Sequence, residues 1–435
     1  MKLILSNTMI ELNQLTIDIL KKSKLPIRSL KDIRILRAEI EDISSQSIGF
    51  NTLRRIYGFM ECTKPSVKTL NTLSAYLGFK SYARYLAKSN TYKTWYFQQN
   101  LLRLKLRNSV EIIDIEEINL GLLNQENVAY LAYFVSYFIQ RNDIKSLDII
   151  FKYCQLNHVN GSERHKFSTI VSVTLLGLNE KTALEIYSAL LHLQNFRDNV
   201  PLLFIDYANL TSRYLNILEL INKKSTSPSD LLFVSLMKFY MYYYTDQRSY
   251  IKTVELHLPD GFDQFYPVLI GRYFGFRVLQ SIQLDDALKQ RILAECKRSK
   301  KPSMLMQEII PALIIKNENS FIDHILTDYY EELIESDQWS SPTPNAIFMI
   351  GLACTNIKKN DFKAARINLS LIELKKIELS YEIYISLFYF LTSLKISYHT
   401  KLKAQNRLEF SEIKRLVKIS KLTKFRKEAN KFQLR

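Results

Sequence analysis

The chain has 435 residues, 47% of them hydrophobic, which exceeds one ordinary domain and is ample for a buried core. Glycine and proline number only 10 each, which argues against β-sandwich turns and glycine-rich phosphate loops and for long helices joined by short connections. Of the formal net charge of +17, residues 1–90 carry +8 and residues 401–435 carry +9, while 91–400 are balanced; a polyanionic partner would explain that partition, and solvated basic ends are its ordinary reading.

The opening run Met1–Leu5 is too short an apolar stretch for a signal peptide. Ile10, Leu12, Leu15, Ile19 and Leu20 share one face of a first helix, which Pro26 breaks. Leu30, Ile33, Leu36, Arg37 and Ile40 continue on a second, more basic helix with Arg28, Lys31 and Arg34. A short helix near 51–57 then buries Ile48, Leu53 and Ile56 and stops at Gly58, where a left-handed residue is needed. Thr63-Lys64-Pro65-Ser66 is a start signal for a further helix with Val67, Leu70, Leu73 and Leu77 inward. Gly78 ends it, and Phe79, Tyr82 and Leu86 begin another.

From about residue 91 the pattern becomes one of repeated amphipathic helices. Ile139-Gln140-Arg141-Asn142-Asp143-Ile144-Lys145 aligns with Ile357-Lys358-Lys359-Asn360-Asp361-Phe362-Lys363, with Asn-Asp marking the turn of a helix pair. Similar turns are expected at Asn179-Glu180, Asp246-Gln247 and Asp285-Asp286. Loops are expected at Pro201, Ser225–Pro228, Pro259-Asp260-Gly261 and Ser340–Pro344. The tail reads as one basic helix, with Ile413, Leu416, Val417 and Ser420 on one face and Lys414, Arg415, Lys418, Lys421, Lys424, Arg426 and Lys427 on the rest. It is expected to cover the last apolar face of the helical array.

Catalytic signatures are missing. The six histidines are scattered, and there is no H-E-x-x-H, G-x-S-x-G, Walker lysine loop or G-x-G-x-x-G. Gly271 and Gly275 read as a helix contact, Asp285-Asp286 as a turn, and Asp323-His324 as a surface or groove pair. Cys62, Cys154, Cys296 and Cys354 lie far apart without a CxxC pair, so no zinc ribbon or redox dithiol is expected and a reducing cytoplasm fits. Apolar runs such as Val128–Ile139 and Ile383–Leu394 fall short of the roughly 18–20 residues a membrane helix needs. The expectation is a protein that is not an enzyme, with no cofactor, no metal and no membrane association.

Residues Ser47-Ile48-Gly49-Phe50-Asn51-Thr52-Leu53-Arg54-Arg55-Ile56-Tyr57-Gly58 and Pro65-Ser66-Val67-Lys68-Thr69-Leu70-Asn71-Thr72-Leu73 resemble the lambda-repressor/Cro-like helix-turn-helix family. In that family the first run is the end of the turn plus the recognition helix. Ile43, Ser47, Leu53 and Ile56 keep the core spacing of the motif. Ile43 stands where the family usually has Ala and Ser47 where it usually has Gly, so Ile43 is expected to crowd the crossing of the two helices. A recognition helix presents its N-terminal outward side chains to base edges. Asn51 is the candidate for adenine, Arg54 and Arg55 for guanine or phosphate, and Thr52, Lys64, Ser66 and Lys68 for the phosphate backbone. A local cap is the other reading of Asn51, and ordinary solvated charge that of the two arginines. Phe50 and Tyr57 read as core rather than base-stacking residues.

Phe348–Lys376, with small residues at Gly351, Ala353, Ala364 and Ala365, is similar to a degenerate tetratricopeptide repeat. The expected fold is therefore all-α: a small helix-turn-helix-like bundle over 1–90, an α-solenoid of helical hairpins over 91–400, and a basic capping helix over 401–435. The tandem is similar to bacterial regulators in which the repeat array binds a short peptide or mediates dimerisation. The resemblance implies a regulator of transcription that binds double-stranded DNA, with a peptide or protein ligand or a homodimer contact in the repeats. A helical scaffold that contacts protein alone is the alternative.

Overall fold

The computed structural model describes residues 7–61, 65–247, 251, 254–259, 261–262, 265–299, 301–329, 331, 333 and 342–434, without the side chains of 7–14 and 86–93. Every regular element among these residues is helical, and none is a strand. Cys62, Thr63 and Lys64 lie outside the described residues, as do Met1–Leu5, Asp260, and the side chains of Ile10, Leu12 and Leu86. The chain divides into two compact units, Met1–Phe167 and Ser168–Arg435.

The first unit begins with α1 (Asn7–Ser23), α2 (Leu30–Ser44), α3 (Phe50–Ile56), α4 (Val67–Tyr76) and α5 (Tyr82–Arg107). The starts of α2, α4 and α5 follow from hydroxyl and carboxylate caps. Ser29 accepts from the Asp32 amide while the Asp32 carboxylate accepts from the Ser29 amide, a reciprocal capping box for α2. Ser66 and Ser81 cap α4 and α5 in the simpler way. The stops of α3 and α4 follow from glycine. Gly58 and Gly78 take left-handed backbone, with φ of 78° and 93°. At Gly58 the Phe59 amide donates to the Arg54 carbonyl at 2.8 Å and the Gly58 amide to the Arg55 carbonyl at 3.3 Å, a closed C-terminal motif repeated at Gly78.

One apolar cluster joins these helices: Leu15, Ile19, Ile33, Leu36, Ile40, Ile48, Leu53, Leu70, Leu73, Tyr76 and Tyr85. Several of its polar edge groups are paired, while the Tyr57 hydroxyl is buried without a hydrogen-bond partner. The Tyr76 hydroxyl donates to Glu39, the Lys22 ammonium to the Tyr76 carbonyl, and the Tyr85 hydroxyl to Asp18 at 2.7 Å. Leu30, expected to face inward, is exposed, because the α2 stripe starts one turn later at Ile33. α5 runs without a break through residue 90, where the sequence reading placed a division.

The Asn-Asp turns are built alike. Asn142 and Asn360 are left-handed, with φ of 53° and 60°. In each case the aspartate that follows closes the preceding helix through its own amide, from Asp143 to Phe138 and from Asp361 to Asn356. The same aspartate side chain then caps the next helix, accepting from Ser146 at 3.1 Å and from Ala364 at 2.9 Å. One residue thus ends one helix and starts another, which folds the pair back as a hairpin. Asn179 and Asp285 likewise cap Glu180–Leu190 and Asp286–Arg298, and Asp246 is left-handed with φ of 63°. The expected loops are shorter than the sequence suggested. Pro228 is the first residue of the helix Pro228–Tyr244, and Pro342 and Pro344 fall in the first turn of Pro342–Lys358, because proline is compatible with an opening helical turn.

In the second unit the helices Pro267–Gln280 and Pro302–Lys316 cross in backbone contact. A Cβ at Gly271 would stand 2.3 Å from the Leu305 carbonyl oxygen, and one at Gly275 would stand 2.5 Å from the Tyr240 hydroxyl. The small pair is a helix contact, as its spacing indicated. Beside it lies a buried ion pair: Arg272 Nε is 3.2 Å from Glu308 Oε2. The Tyr381 hydroxyl donates to Glu308 at 2.6 Å and accepts from Arg272 at 2.8 Å. A second buried pair joins Arg197 Nε to Asp230 Oδ2 at 2.7 Å.

The tail is two helices, Lys403–Ser420 and Thr423–Asn430, and not one. Lys421 takes left-handed backbone with φ of 63° and breaks the run. Ile413, Leu416, Val417 and Ser420 are buried as their spacing predicts, and Leu422, Phe425 and Ala429 extend the buried face.

Candidate nucleic-acid interface

The connection from α2 to α3 is held by side chains rather than by glycine. The chain leaves α2 at Ser45, which is left-handed with φ of 54°. The Glu41 carboxylate accepts from the Ile48 amide at 3.0 Å, and Arg37 Nε donates to the same oxygen at 3.1 Å. Gln46 accepts from the Thr72 hydroxyl at 2.8 Å, tying the turn to α4. Ile43 is 47% exposed and lies outside the crossing, contrary to the register expected from the motif. The left-handed residue comes two positions before Ser47, and Ile40 and Ile48, rather than Ile43, are buried beside this turn. Ser47 is exposed as well.

The Ile48 amide, and then Arg37, hold the Glu41 carboxyl below the ordinary glutamate range. A depressed folded-state value means that the stabilisation is complete near neutral pH and is lost as pH falls through the folded value. Glu41→Gln is therefore expected to speed amide exchange at Ile48 at neutral pH and to flatten the acid limb of that exchange profile. Unchanged protection of Ile48 by hydrogen-exchange NMR would show that the carboxylate does not hold the turn.

α3 is seven residues long. Leu53 is fully buried beneath it, and Ile56 and Tyr57 are partly buried against the same cluster. Asn51, Arg54 and Arg55 stand at i, i+3 and i+4 and so share the face roughly opposite Leu53. Asn51 is exposed, and its Oδ1 accepts from Arg54 Nη1 at 3.1 Å. Arg54 also lies over the Phe50 ring, 5.8 Å from its centroid, while its Nε is buried without a hydrogen-bond partner. Arg55 is half-buried, and neither arginine is paired with a carboxylate among the described residues. Thr52 is half-buried, and its hydroxyl faces Gly49, where a Cβ would come within 3.0 Å of it.

Ser66 and Lys68 are exposed at the start of α4. The Ser66 hydroxyl is committed to capping, since it accepts from the Thr69 amide at 3.2 Å and bonds the Thr69 hydroxyl at 3.0 Å. Among the described residues no hydrogen bond or ion pair joins the side chains of Ser66 or Lys68 to those of α3. Lys64 lies outside the described residues.

One cation escaped the sequence reading as a site residue. Arg34, exposed on α2, also lies over Phe50, 5.7 Å from its ring centroid. Its only sequence signal was membership of the basic run Arg28–Arg37, and the pairing through Phe50 is a tertiary fact. Arg37 belongs to that run too but is engaged with Glu41 at 3.0 Å.

Other candidate groups are accounted for structurally. Asp285 is a helix cap, and Asp286 pairs with Lys289 at 3.1 Å. His324 pairs with Asp328 at 3.2 Å rather than with Asp323, which binds Lys359 at 2.8 Å. Cys154, Cys296 and Cys354 are buried and form no disulfide with one another, and burial pushes Cys154 up to about 12. Among the described residues no three His, Cys, Asp or Glu side chains form a metal-sized group, and no helix is long and apolar enough to cross a membrane. No family model, no curated protein and no solved structure matches this chain.

Proposed function

We propose that the chain is a DNA-binding regulator of transcription. In this reading residues 1–90 form the helix-turn-helix-like module, residues 91–400 an α-solenoid that senses a peptide or protein or assembles the protein, and residues 401–435 its basic cap. One observation carries the reading: the outward face of α3 presents Asn51, Arg54 and Arg55 together, with an amide that can pair with adenine and guanidinium groups that suit guanine or phosphate. Arg34 adds a fourth polar group beside Phe50. The recurring aspartate-capped hairpins support the array.

Binding to a random duplex pool, read by anisotropy across a salt series, tests it. Affinity is expected to fall with a log–log slope of about −0.9 per phosphate neutralised. Arg54→Ala with Arg55→Ala is expected to cost about 1–3 kcal/mol for each lost base contact and to change which duplexes are enriched. Enrichment and affinity equal to the parent would end the assignment of α3 as a recognition helix.

A second reading, a helical scaffold, draws on exposed apolar surface in the first unit. Trp95, Leu102 and Leu106 share one face of α5, and Leu106 is 83% exposed. Tyr130 and Tyr133 leave further aromatic surface on the helix Val128–Gln140, which bonds the end of α5 through Tyr137 and Asn108 at 2.5 Å. Surface of this kind favours a protein partner. Absence of any duplex binding at low salt would favour this reading over the first.

A further inference from the structure

We propose that one exposed flank of the helix Lys403–Ser420 is a separate binding surface for the phosphate backbone of duplex DNA. This proposal does not depend on α3 entering a groove. Lys403, Arg407, Lys414 and Lys418 recur at spacings of four, seven and four residues. At about 100° per residue they fall within an arc of roughly 60°. All four are exposed, on a flank about 110° around the helix from the middle of the face that Asn406, Glu409, Phe410, Ile413, Leu416, Val417 and Ser420 bury. Among the described residues no carboxylate pairs with any of the four, and Lys414 is steadied over the Phe410 ring at 4.7 Å.

The neighbouring cations behave differently. Arg415 is held by Glu412 at 2.9 Å, Lys424 and Lys427 by Asp246, and Lys431 by Glu428 at 2.6 Å. Lys424 and Lys427 thus fasten Thr423–Asn430 to Asp246, Arg415 and Lys431 pair locally, and Lys403, Arg407, Lys414 and Lys418 form an unpaired row, with the exposed Lys401, Lys421 and Arg426 outside it. That row runs for about 22 Å along the helix. Its members do not converge, so no single small anion could reach them all. A line of cations on a rigid rod instead complements a line of phosphates, whose neutralisation releases counterions. A lipid surface fits less well, because the helix has already buried its apolar face and shows outward only Leu408 and Ile419, about 16 Å apart along the axis.

The test uses the full chain with a random-sequence duplex and, separately, vesicles of phosphatidylserine and phosphatidylcholine. Lys403→Gln, Arg407→Gln, Lys414→Gln and Lys418→Gln together are expected to shrink the salt slope for duplex by about 3–4 and to lower affinity at least tenfold, evenly across sequences. In the unaltered protein, bound duplex is expected to shield Lys403, Lys414 and Lys418 from acetylation, a readout that needs no variant to fold. An unchanged slope, unshielded lysines, or binding to vesicles with none to duplex would each overturn the proposal. If the α3 double variant is silent and the tail variant is not, the recognition-helix reading fails while this one stands.

Discussion

Glu308→Ala is expected to destabilise the second unit by about 3–5 kcal/mol, measured by urea unfolding, because it leaves a guanidinium inside the protein without its counter-charge. Arg272 is 4% exposed and Glu308 7%. Burial by itself would push Arg272 down, yet Glu308 and then the Tyr381 hydroxyl hold it well above its ordinary value. The network extends beyond the pair. Tyr381 bridges both groups, Gln307 Nε2 lies 3.5 Å from Glu308 Oε1, and the guanidinium sits over Phe233, 5.3 Å from the ring centroid. Removing the carboxylate therefore orphans several donors at once. Replacing both partners, Arg272→Met with Glu308→Leu, should recover most of the loss, since no charge then remains to be desolvated. A single variant as stable as the parent would mean that the site relaxes enough to admit water.

Phe425→Ala is expected to cost about 3–5 kcal/mol, the range for deleting a fully buried aromatic ring. Phe425 has no exposed surface. Its ring stacks on Tyr244 at 5.4 Å and meets Phe388 edge-on at 4.9 Å. Tyr244 in turn shares a hydroxyl hydrogen bond of 2.7 Å with Tyr384, so the tail helix Thr423–Asn430 closes an aromatic stack reaching deep into the unit. Phe425→Leu should lose much less, because the volume is largely kept. The comparison is a lowered unfolding midpoint for the alanine variant against near-parent behaviour for the leucine variant and for the exposed-lysine changes. A midpoint unmoved by Phe425→Ala would show that the last helix is not part of the cooperative unit.

Much of the helical layout was legible because it rests on local rules. Gly58 and Gly78 announce left-handed stops, and Ser66 announces a cap. Asn142-Asp143 and Asn360-Asp361 could be aligned from sequence because the same two residue types perform the same two backbone tasks in both places. What stayed hidden is what depends on partners distant in the chain. Ile43 has the right spacing for a helix crossing, but it stands 47% exposed in the last turn of α2, just before the chain leaves at Ser45, and nothing in the residues 43–47 signals this. The turn is fixed by Glu41 and by Thr72, a residue 26 positions from its partner Gln46. Arg34 joined the candidate interface only through the Phe50 ring. Ser66 was foreseen as a cap and also as a phosphate ligand, and its geometry commits the hydroxyl to the first task. The tail was read as one helix because a lysine is an uncommon left-handed residue, and so Lys421 gave no warning of a break.

The meeting of Gly271 with the Leu305 carbonyl has a consequence for how the second unit can move. Two rods that touch backbone to backbone have no side-chain cushion between them, so a slide of even one residue, about 1.5 Å, would drive Arg272 or Leu305 into space that does not exist. Pro267–Gln280 and Pro302–Lys316 are thus geared together and travel as one body. Any flexing of this unit in response to a bound molecule must be taken up at looser seams, such as the short hairpin turn Lys359-Asn360-Asp361 between two helices.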